Sequence, residues 1–289
     1  MKIKDLLEES INRLNTFSDT PQLDAQVLLA HIIKKPRTWV MSHPEYDGTT
    51  EEQDQFDRAL KKLEADEPLP YVLGKWEFFG LEFDITNDVL IPRPETELLV
   101  ENAIAWLKAH PEHRTVADIG TGSGSIAVSI AVQIPDVQVL ATDISPAALR
   151  IAKHNAEKFD VQNRIKFVEC DLLPESKVES QRSDLQPLTF DLICANLPYI
   201  PTKTLHQLPI YGREPTLALD GGADGLDLYR RLFKLAPDWL APHGKMLIEI
   251  EATLGVQALG LAFDTFSDAT FHLHQDLLGH DRLLEIMFI

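Results

Sequence analysis

The chain has 289 residues, with 45 Asp and Glu against 27 Lys and Arg, and a formal net charge of −18. This acidity excludes a protein that holds nucleic acid mainly through backbone electrostatics, because such proteins need a basic surface to displace counterions. The length suits one large domain or two modest domains with a substantial core.

Two cysteines, Cys170 and Cys194, lie in apolar, strand-like segments, and neither belongs to a Cys-x-x-Cys pair. This pattern argues against a disulfide framework or a cysteine-rich metal site and favours a reducing compartment. The charged, amphipathic amino-terminal segment lacks the apolar core of a signal peptide, and no stretch approaches the roughly 18 apolar residues of a membrane span. We therefore expect a soluble, cytoplasmic protein without a membrane partner.

Residues 1–67 are predicted to form a small helical domain. Apolar residues recur at three- and four-residue spacing over 3–14, and a second helix is predicted over 23–33. A third helix is predicted to begin near Thr49, where a hydroxyl and two glutamates suit the free amides of a first turn.

The pattern changes between residues 68 and 92, where aromatic and β-branched residues alternate with polar ones around Gly74 and Gly80. This alternation predicts a β-hairpin that links two domains. The second domain is predicted to span 93–289 and to begin with a helix over 95–108.

Strand-like and helix-like segments alternate from Thr115 onward. This rhythm predicts an α/β domain with a mostly parallel sheet covered by helices on both faces. The last segments indicate two strands joined through 279–281, which predicts a terminal antiparallel hairpin. The polar stretch 174–187 is predicted to be a surface loop.

The segment from Asp118 to Gly124, Asp-Ile-Gly-Thr-Gly-Ser-Gly, lies where a predicted strand opens into a helix. Glycines let a backbone turn sharply and approach a ligand closely. The motif is Gly-x-Gly-x-Gly without a phosphate-binding lysine, so it indicates a nucleotide-like cofactor or, alternatively, a bare tight turn. The candidate cofactor residues here are Gly120, Thr121, Gly122, Ser123 and Gly124.

Two further predicted strands also end in polar residues. Asp143 can accept both hydroxyls of a ribose, and it can also cap the following helix; the two roles are compatible. Asp171 and Leu172 can flank an adenine or can form an ordinary strand-to-loop turn. Together with the glycine-rich segment, these residues suit either a nicotinamide dinucleotide or S-adenosylmethionine.

The segment Asn196-Leu197-Pro198-Tyr199 follows the fourth predicted strand and distinguishes these cofactors. The Asn196 oxygen and the Leu197 carbonyl can accept hydrogen bonds from a substrate NH2 and hold its nitrogen opposite a sulfonium methyl. Hydride transfer does not need this combination. Pro198 stiffens the loop, and Tyr199 offers a flat face to a planar group. The alternative is a simple Asn-x-Pro turn.

Nearly the whole chain resembles the protein glutamine-N5 methyltransferases that modify bacterial peptide-chain release factors. The most specific segments are YVLGKWEFFGLEF (71–83), LIPRPETELLVE (90–101), DIGTGSGSIAVSIA (118–131), EPTLALDGGADGLDLYRRL (214–232) and GHDRLLEI (279–286). The resemblance implies a class I, Rossmann-like methyltransferase domain and an amino-terminal helical domain that helps to dock the release factor.

The resemblance also implies the reaction. A methyl group passes from S-adenosyl-L-methionine to the glutamine of the Gly-Gly-Gln tip of peptide chain release factors 1 and 2. The product is S-adenosyl-L-homocysteine, and the modification modulates translation termination. We expect a monomer that does not bind nucleic acid tightly.

Individual roles follow from the resemblance. The loop 120–124 lies on the methionine side of the cofactor, and Asp143 binds the ribose. Leu172 lies beside the adenine, with Asp171 next to it. Asn196 contacts both cofactor and glutamine, and the next three residues complete the glutamine pocket.

The segment IPRPETE resembles the lid that this family places over the cofactor. Its polar members are Arg93, Thr96 and Glu97. Helix capping or a surface ion pair explains these three residues equally well.

Leu197 departs from the family pattern, which is Asn-Pro-Pro-Tyr. Its carbonyl is still available, but the loop loses one φ restraint. Asn-Leu-Pro-Tyr also resembles the motif of ribosomal RNA adenine dimethyltransferases, so N6-adenine methylation of RNA is an alternative. The net charge of −18 and the segment 214–232 argue against RNA. A ribosomal-protein glutamine as substrate, or a non-catalytic cofactor-binding adaptor, are further alternatives.

Two other pairs of residues suggest weaker hypotheses. His272 and His274 share one face of a strand, but no further ligand completes a metal site, so no metal is expected. Glu249 and Glu251 can be seen as an acid/base pair. We predict instead that they end a strand near a sheet rim that sees water, because the proton of the methylated nitrogen can leave to solvent.

Overall fold

A computed structural model of the chain describes residues 1–174 and 189–289. They form two compact units, Met1–Lys75 and Trp76–Ile289. The surface loop predicted over 174–187 therefore lies, apart from its first residue, outside the described residues. Within the described part of the chain, no helix combines the length and apolar character needed to cross a membrane.

The first unit is helical, as predicted. Its helices are α1 (Ile3–Leu14), α2 (Pro21–Ile33), α3 (Arg37–Ser42), α4 (Thr50–Glu64) and α5 (Leu69–Leu73). They enclose a core of their own, which includes Ile3, Leu28 and Phe56. Helix α4 begins with a capping box, since Thr49 accepts the Glu52 amide at 3.2 Å and the Glu52 carboxylate accepts the Thr49 amide at 2.7 Å.

Strands occupy only part of the predicted hairpin segment. Helix α5 takes its beginning, because prolines pre-set the backbone of a first helical turn. That helix ends at Gly74, whose φ of 72° suits a residue without a side chain. The hairpin itself consists of β1 (Lys75–Phe78) and β2 (Leu81–Asp84), which pair with each other.

The second unit is built on a seven-stranded sheet. Its strands are β3 (Thr115–Ile119), β4 (Gln138–Asp143), β5 (Ile165–Glu169), β6 (Phe190–Ala195), β7 (Leu240–Glu249), β8 (Ala269–Gln275) and β9 (Asp281–Phe288), in the order β5-β4-β3-β6-β7-β9-β8. The pairs from β5 to β7 are parallel, whereas β9 runs antiparallel to both β7 and β8. The predicted parallel sheet with a terminal antiparallel hairpin is confirmed.

Helices and short 3-10 turns accompany this sheet. The helices are α6 (Glu97–Ala109), α7 (Ser125–Gln133), α8 (Pro146–Lys158), α9 (Thr202–Leu205), α10 (Asp227–Trp239) and α11 (Gly255–Thr265), and the 3-10 turns are Pro94–Thr96, Gln162–Arg164, Thr216–Ala218 and Ala252–Leu254. Helix α11 is not among the predicted elements. Its Val256 and Phe263 are largely exposed, so apolar residues do not mark one buried face.

The five parallel strands end at one edge of the sheet, which we call the carboxyl edge. Strand β3 lies between β4 and β6, so the chain leaves β3 toward β4 on one side while β6 occupies the other. Such a point of reversal is where open α/β sheets bind ligands. We therefore expect a ligand site among the residues that follow β3, β4, β5, β6 and β7.

Candidate active site at the carboxyl edge

The glycine-rich segment connects β3 to α7. Gly120, Gly122 and Gly124 have φ values of 72°, 55° and 82°, a left-handed conformation that side chains disfavour. A Cβ atom at Gly124 would lie 3.2 Å from Cα of Ala152, so this glycine allows the start of α7 to approach α8. A Cβ atom at Gly122 would meet nothing within 4 Å among the described residues. The loop thus presents open backbone at the carboxyl edge.

The polar side chains of this loop point inward. Thr121 and Ser123 are buried, and the Thr121 hydroxyl donates to Asp118 Oδ2 at 2.6 Å. The same carboxylate oxygen accepts the Ala127 amide at 3.1 Å, which ties the loop to α7. Asp118 Oδ1 has no hydrogen-bond partner within the described ranges, and burial raises the pKa of Asp118 to about 7.

Asp143 ends β4 beside this loop. Its Oδ2 accepts the Gly122 amide at 2.9 Å, and its Oδ1 accepts the Ser145 amide at 2.8 Å. Burial raises the pKa of this half-buried carboxyl above its usual value. The Ser145 hydroxyl caps α8 by accepting the Ala148 amide at 3.2 Å. Helix capping is therefore the task of Ser145, and Asp143 instead holds the glycine-rich loop.

Asp171 and Leu172 follow β5 and differ in character. Leu172 is buried, has a φ of 65°, and accepts the Thr142 hydroxyl at its carbonyl at 2.7 Å. The Cys170 amide donates to the Asp143 carbonyl at 3.1 Å, so the segment lies next to the end of β4. The Asp171 carboxylate is about half exposed and pairs with Arg231 of α10 at 2.5 Å.

The Asn196–Tyr199 segment follows β6. The Asn196 side-chain NH2 donates to the Thr96 hydroxyl at 3.0 Å, and the Leu197 side chain is buried. Burial raises the pKa of Tyr199 far above its usual value, so its phenol stays neutral at physiological pH. The Asn196 NH2 therefore donates within the protein, while the Asn196 side-chain oxygen accepts no hydrogen bond from the described residues.

The Gly-Gly-Ala-Asp-Gly segment 221–225 supports the backbone of Pro198 and Tyr199. A Cβ atom at Gly221 would lie 2.7 Å from Cα of Tyr199, and one at Gly225 would lie 2.3 Å from the Tyr199 carbonyl oxygen. The Gly221 amide also donates to the Ile200 carbonyl at 2.9 Å. Glycine is required at these positions because the two backbones touch.

The three polar residues of the lid-like segment have different partners. Thr96 is the one that reaches Asn196. Arg93 pairs with Glu214, whose side chain is buried and which also accepts the Ile91 amide at 3.1 Å. Glu97 accepts the Phe79 amide at 2.8 Å and so holds the turn of the β1–β2 hairpin. Arg93 and Glu97 thus stabilise neighbouring segments, and the Arg93 pair is not a surface pair.

The prediction for Glu249 was wrong. This residue ends β7, but it is only 3% exposed rather than open to water. Burial raises the pKa of Glu249 to about 7, and hydrogen bonding from Thr96 and Asn196 partly opposes that rise. Parallel strands such as β7 are covered on both faces, so a polar residue at the strand end is buried as well. Glu251, two residues on, caps the turn Ala252–Leu254 by accepting the Thr253 amide.

The predicted histidine pair has an ordinary structural environment. The His272 and His274 rings are 4.4 Å apart, and His274 hydrogen-bonds Glu285 at 2.9 Å. Within residues 1–174 and 189–289, no group of three or more His, Cys, Asp or Glu side chains could hold a metal ion.

Two family descriptions match the chain. The PrmC N-terminal domain matches residues 5–74, and a methyltransferase domain matches residues 110–248. A release factor glutamine methyltransferase of Moorella thermoacetica is 38% identical and covers 98% of this chain and 97% of its own length. Those of Clostridium acetobutylicum and Coxiella burnetii are 36% and 38% identical, and each alignment covers 86% of both chains.

Solved structures share the fold of the second unit. The hMettl16 catalytic domain in complex with MAT2A 3'UTR hairpin 6 has a TM-score of 0.50 and 18% identity, over 73% of this chain and 76% of that chain. The T. thermophilus 16S rRNA N2 G1207 methyltransferase in complex with AdoMet and guanosine has a TM-score of 0.50 and 17% identity, over 74% and 50%. At these identities the likeness is one of fold: a Rossmann-like methyltransferase architecture.

Proposed function

The chain belongs to the release factor glutamine methyltransferase family, and we propose that it methylates the side-chain amide nitrogen, N5, of a release-factor glutamine with S-adenosylmethionine. The observation that carries this proposal is the 38% identity over 97% of the length of a relative with that name. The proposed target is the glutamine of the Gly-Gly-Gln tip of release factors 1 and 2, so that the enzyme modulates translation termination.

The residues after β3, β4 and β5 form the proposed cofactor site. The open backbone of loop 120–124 suits the methionine part, and the Asp143 carboxylate suits the ribose hydroxyls. The buried Leu172 side chain suits an adenine face. Asp171 supports this assignment less, because Arg231 already pairs with its carboxylate.

The segment after β6 is the proposed glutamine site. Asn196 Oδ1 and the Leu197 carbonyl accept the two amide protons of the glutamine and hold its nitrogen in line for transfer. S-adenosylmethionine, when bound, would supply an electrophilic sulfonium methyl, which would pass to the glutamine nitrogen with S-adenosylhomocysteine as the leaving group. The nitrogen then loses a proton, which is strongly acidic after methylation. Neutral Tyr199 serves as a flat wall and does not act as a base.

The helical unit supports a docking role for the amino terminus. It has its own core, and its residues 5–74 match the PrmC N-terminal domain. We keep the predicted division into a docking domain (1–67), a linker (68–92) and a methyltransferase domain (93–289) as part of this proposal. The free thiols of Cys170 and Cys194 suit action in a reducing cytoplasm, and the net charge of −18 suits a protein substrate with a basic surface.

Transfer of isotope-labelled methyl from S-adenosylmethionine to purified release factors 1 and 2 tests the proposal. We expect the label on the tip glutamine by peptide mass spectrometry, and none on release factors in which that glutamine is replaced by alanine. Ribosomal proteins and ribosomal RNA are assayed in parallel. Label on RNA, or on a ribosomal-protein glutamine with none on the release factors, contradicts the proposal.

A further inference from the structure

Glu249 is a buried carboxylate without a role in the reaction as derived above. Strand β7 pairs with β6 so that Ile248 lies opposite Ala195, the residue before Asn196. Glu249 therefore lies beside the glutamine site. Its Oε2 has no hydrogen-bond partner in the described part of the chain, although the side chain is only 3% exposed. An unpaired buried acceptor of this kind costs free energy, which a functional role can explain.

Thr96 lies between Asn196 and Glu249. The Asn196 NH2 donates to the Thr96 hydroxyl at 3.0 Å, and both side chains lie close enough to Glu249 to favour its ionised form. Because the Thr96 oxygen accepts from Asn196, its single proton is free to be donated to the carboxylate. Ionised Glu249 can only accept hydrogen bonds, so it favours an arrangement in which Asn196 and Thr96 turn their donors toward it.

The direction of these bonds determines which end of the Asn196 amide faces the substrate. The two ends of an asparagine amide are nearly equal in shape, and only their partners distinguish oxygen from NH2. We propose that Glu249 is a positioning residue, which holds the Asn196 NH2 toward the protein and so presents Oδ1 to the substrate glutamine. This inference rests on the proposed function, because it needs an NH2 group in the pocket.

Protonation of Glu249 would weaken this arrangement, since a carboxylic acid can also donate to Thr96. Burial is the main cause that raises its pKa to about 7, so the change falls near neutral pH. The charged and titratable groups that influence it are Glu95 and Arg282, and Tyr199 and Tyr229 lie close enough to feel its charge. We expect the rate of methyl transfer to fall as the pH drops through about 7.

The test is Glu249→Gln, which keeps the shape but adds a donor. We expect the single-turnover rate constant, with both substrates saturating, to fall roughly tenfold, as for other supporting hydrogen bonds behind an active group. Affinities for S-adenosylhomocysteine and for the release factor should change less than about threefold. The acid-side step of the wild-type pH–rate profile should disappear in the variant. Glu251→Gln is the matched control, because its carboxylate caps the turn Ala252–Leu254 and forms no hydrogen bond with Asn196 in the described part of the chain.

Thr96→Val is a second variant that tests the same arrangement without a change at Glu249. It removes the hydroxyl between Asn196 and Glu249 at nearly constant volume, and the rate constant should again fall with little change in affinity. An unchanged rate constant in a folded variant, or an acid-side step that survives in Glu249→Gln, overturns the inference. If the wild-type enzyme does not label the release-factor glutamine at all, the proposed function is overturned. Failure of this inference and failure of the proposed function are therefore distinguishable.

Discussion

The two halves of the carboxyl edge hold their polar groups by different means. On the side of β3 and β4, backbone amides hold both carboxylates: Ala127 donates to Asp118, which also accepts the Thr121 hydroxyl, and Gly122 and Ser145 donate to Asp143. On the side of β6 and β7, Asn196 and Glu249 depend on each other and on Thr96. A backbone amide survives almost any substitution, whereas a side-chain partner does not. The proposed glutamine site should therefore be more sensitive to mutation than the proposed cofactor site.

The largest difference is expected from Asn196→Ala. Loss of one positioned acceptor should lower kcat by about 100- to 1000-fold, while S-adenosylhomocysteine affinity weakens only severalfold. Single-turnover labelling and titration calorimetry measure the two quantities. Asn87→Ala, at an exposed position, is the control and should be silent. Turnover at the wild-type level in Asn196→Ala would remove the proposed mechanism.

Glu249→Gln should stabilise the fold even as it slows the enzyme. Burial raises the pKa of Glu249 from 4.5 to about 7, so its contribution to stability is complete below pH 4.5 and is lost as the pH rises through about 7. The side-chain amide of the Glu249→Gln variant does not ionise, so the variant does not lose stability in this pH range. The difference in unfolding free energy between variant and wild type should grow by about 3 kcal/mol from pH 4.5 to pH 8 in urea denaturation. A difference that stays constant with pH would contradict the burial of an ionised group.

Gly221→Ala probes the support of the glutamine site. Its Cβ atom would lie 2.7 Å from Cα of Tyr199 and 2.8 Å from the Pro198 carbonyl oxygen, so a backbone must move. We expect a loss of about 1–3 kcal/mol in stability and a fall in kcat. Gly260→Ala is the matched control, because a Cβ atom there meets nothing within 4 Å among described residues and the position is helical. That control should gain about 0.5–1 kcal/mol.

The smallest effect is expected from Asp143→Asn on the cofactor side. The oxygen of the new amide can still accept one backbone N–H, but the charge that suits ribose hydroxyls is lost. S-adenosylhomocysteine affinity should weaken about tenfold, with kcat at saturating cofactor within threefold of wild type. Calorimetry with Asp54→Asn, an exposed carboxylate on α4, provides the control. A larger effect on kcat than on affinity would contradict the expectation that Asp143 acts mainly in cofactor binding.

The half of the edge with the proposed cofactor site was predictable because its signals are local. The alternation of strands and helices predicted the parallel sheet, and the spacing of glycines after β3 indicated a sharp turn that either approaches a ligand closely or is a bare tight turn. Asp143 was singled out because it ends the next strand. The alternative that Asp143 caps the following helix could also be judged from neighbouring residues, because Ser145 offers the better helix cap.

The half of the edge with the proposed glutamine site was predictable only in its motif. Nothing in the sequence near Glu249 indicates that it is buried, because alternating Glu and Ile at 248–251 is also typical of a strand at a wet rim. The burial of Glu249 depends on residues that pack over the end of β7. One of them, Thr96, is far away in the sequence, so a local pattern does not reveal it. Helix α5 was missed for a different reason, since the prolines around it could equally begin a turn or a helix.

The separation of partners along the chain has a consequence for the order of folding. The bond between Asn196 and Thr96 joins residues 100 apart, whereas Asp118 holds partners only 3 and 9 residues away. Closing a long loop costs more chain entropy and slows formation of the contact. A refolding chain should thus recover the proposed cofactor loop first and the proposed glutamine site last, and in that interval it would bind the methyl donor without being able to use it.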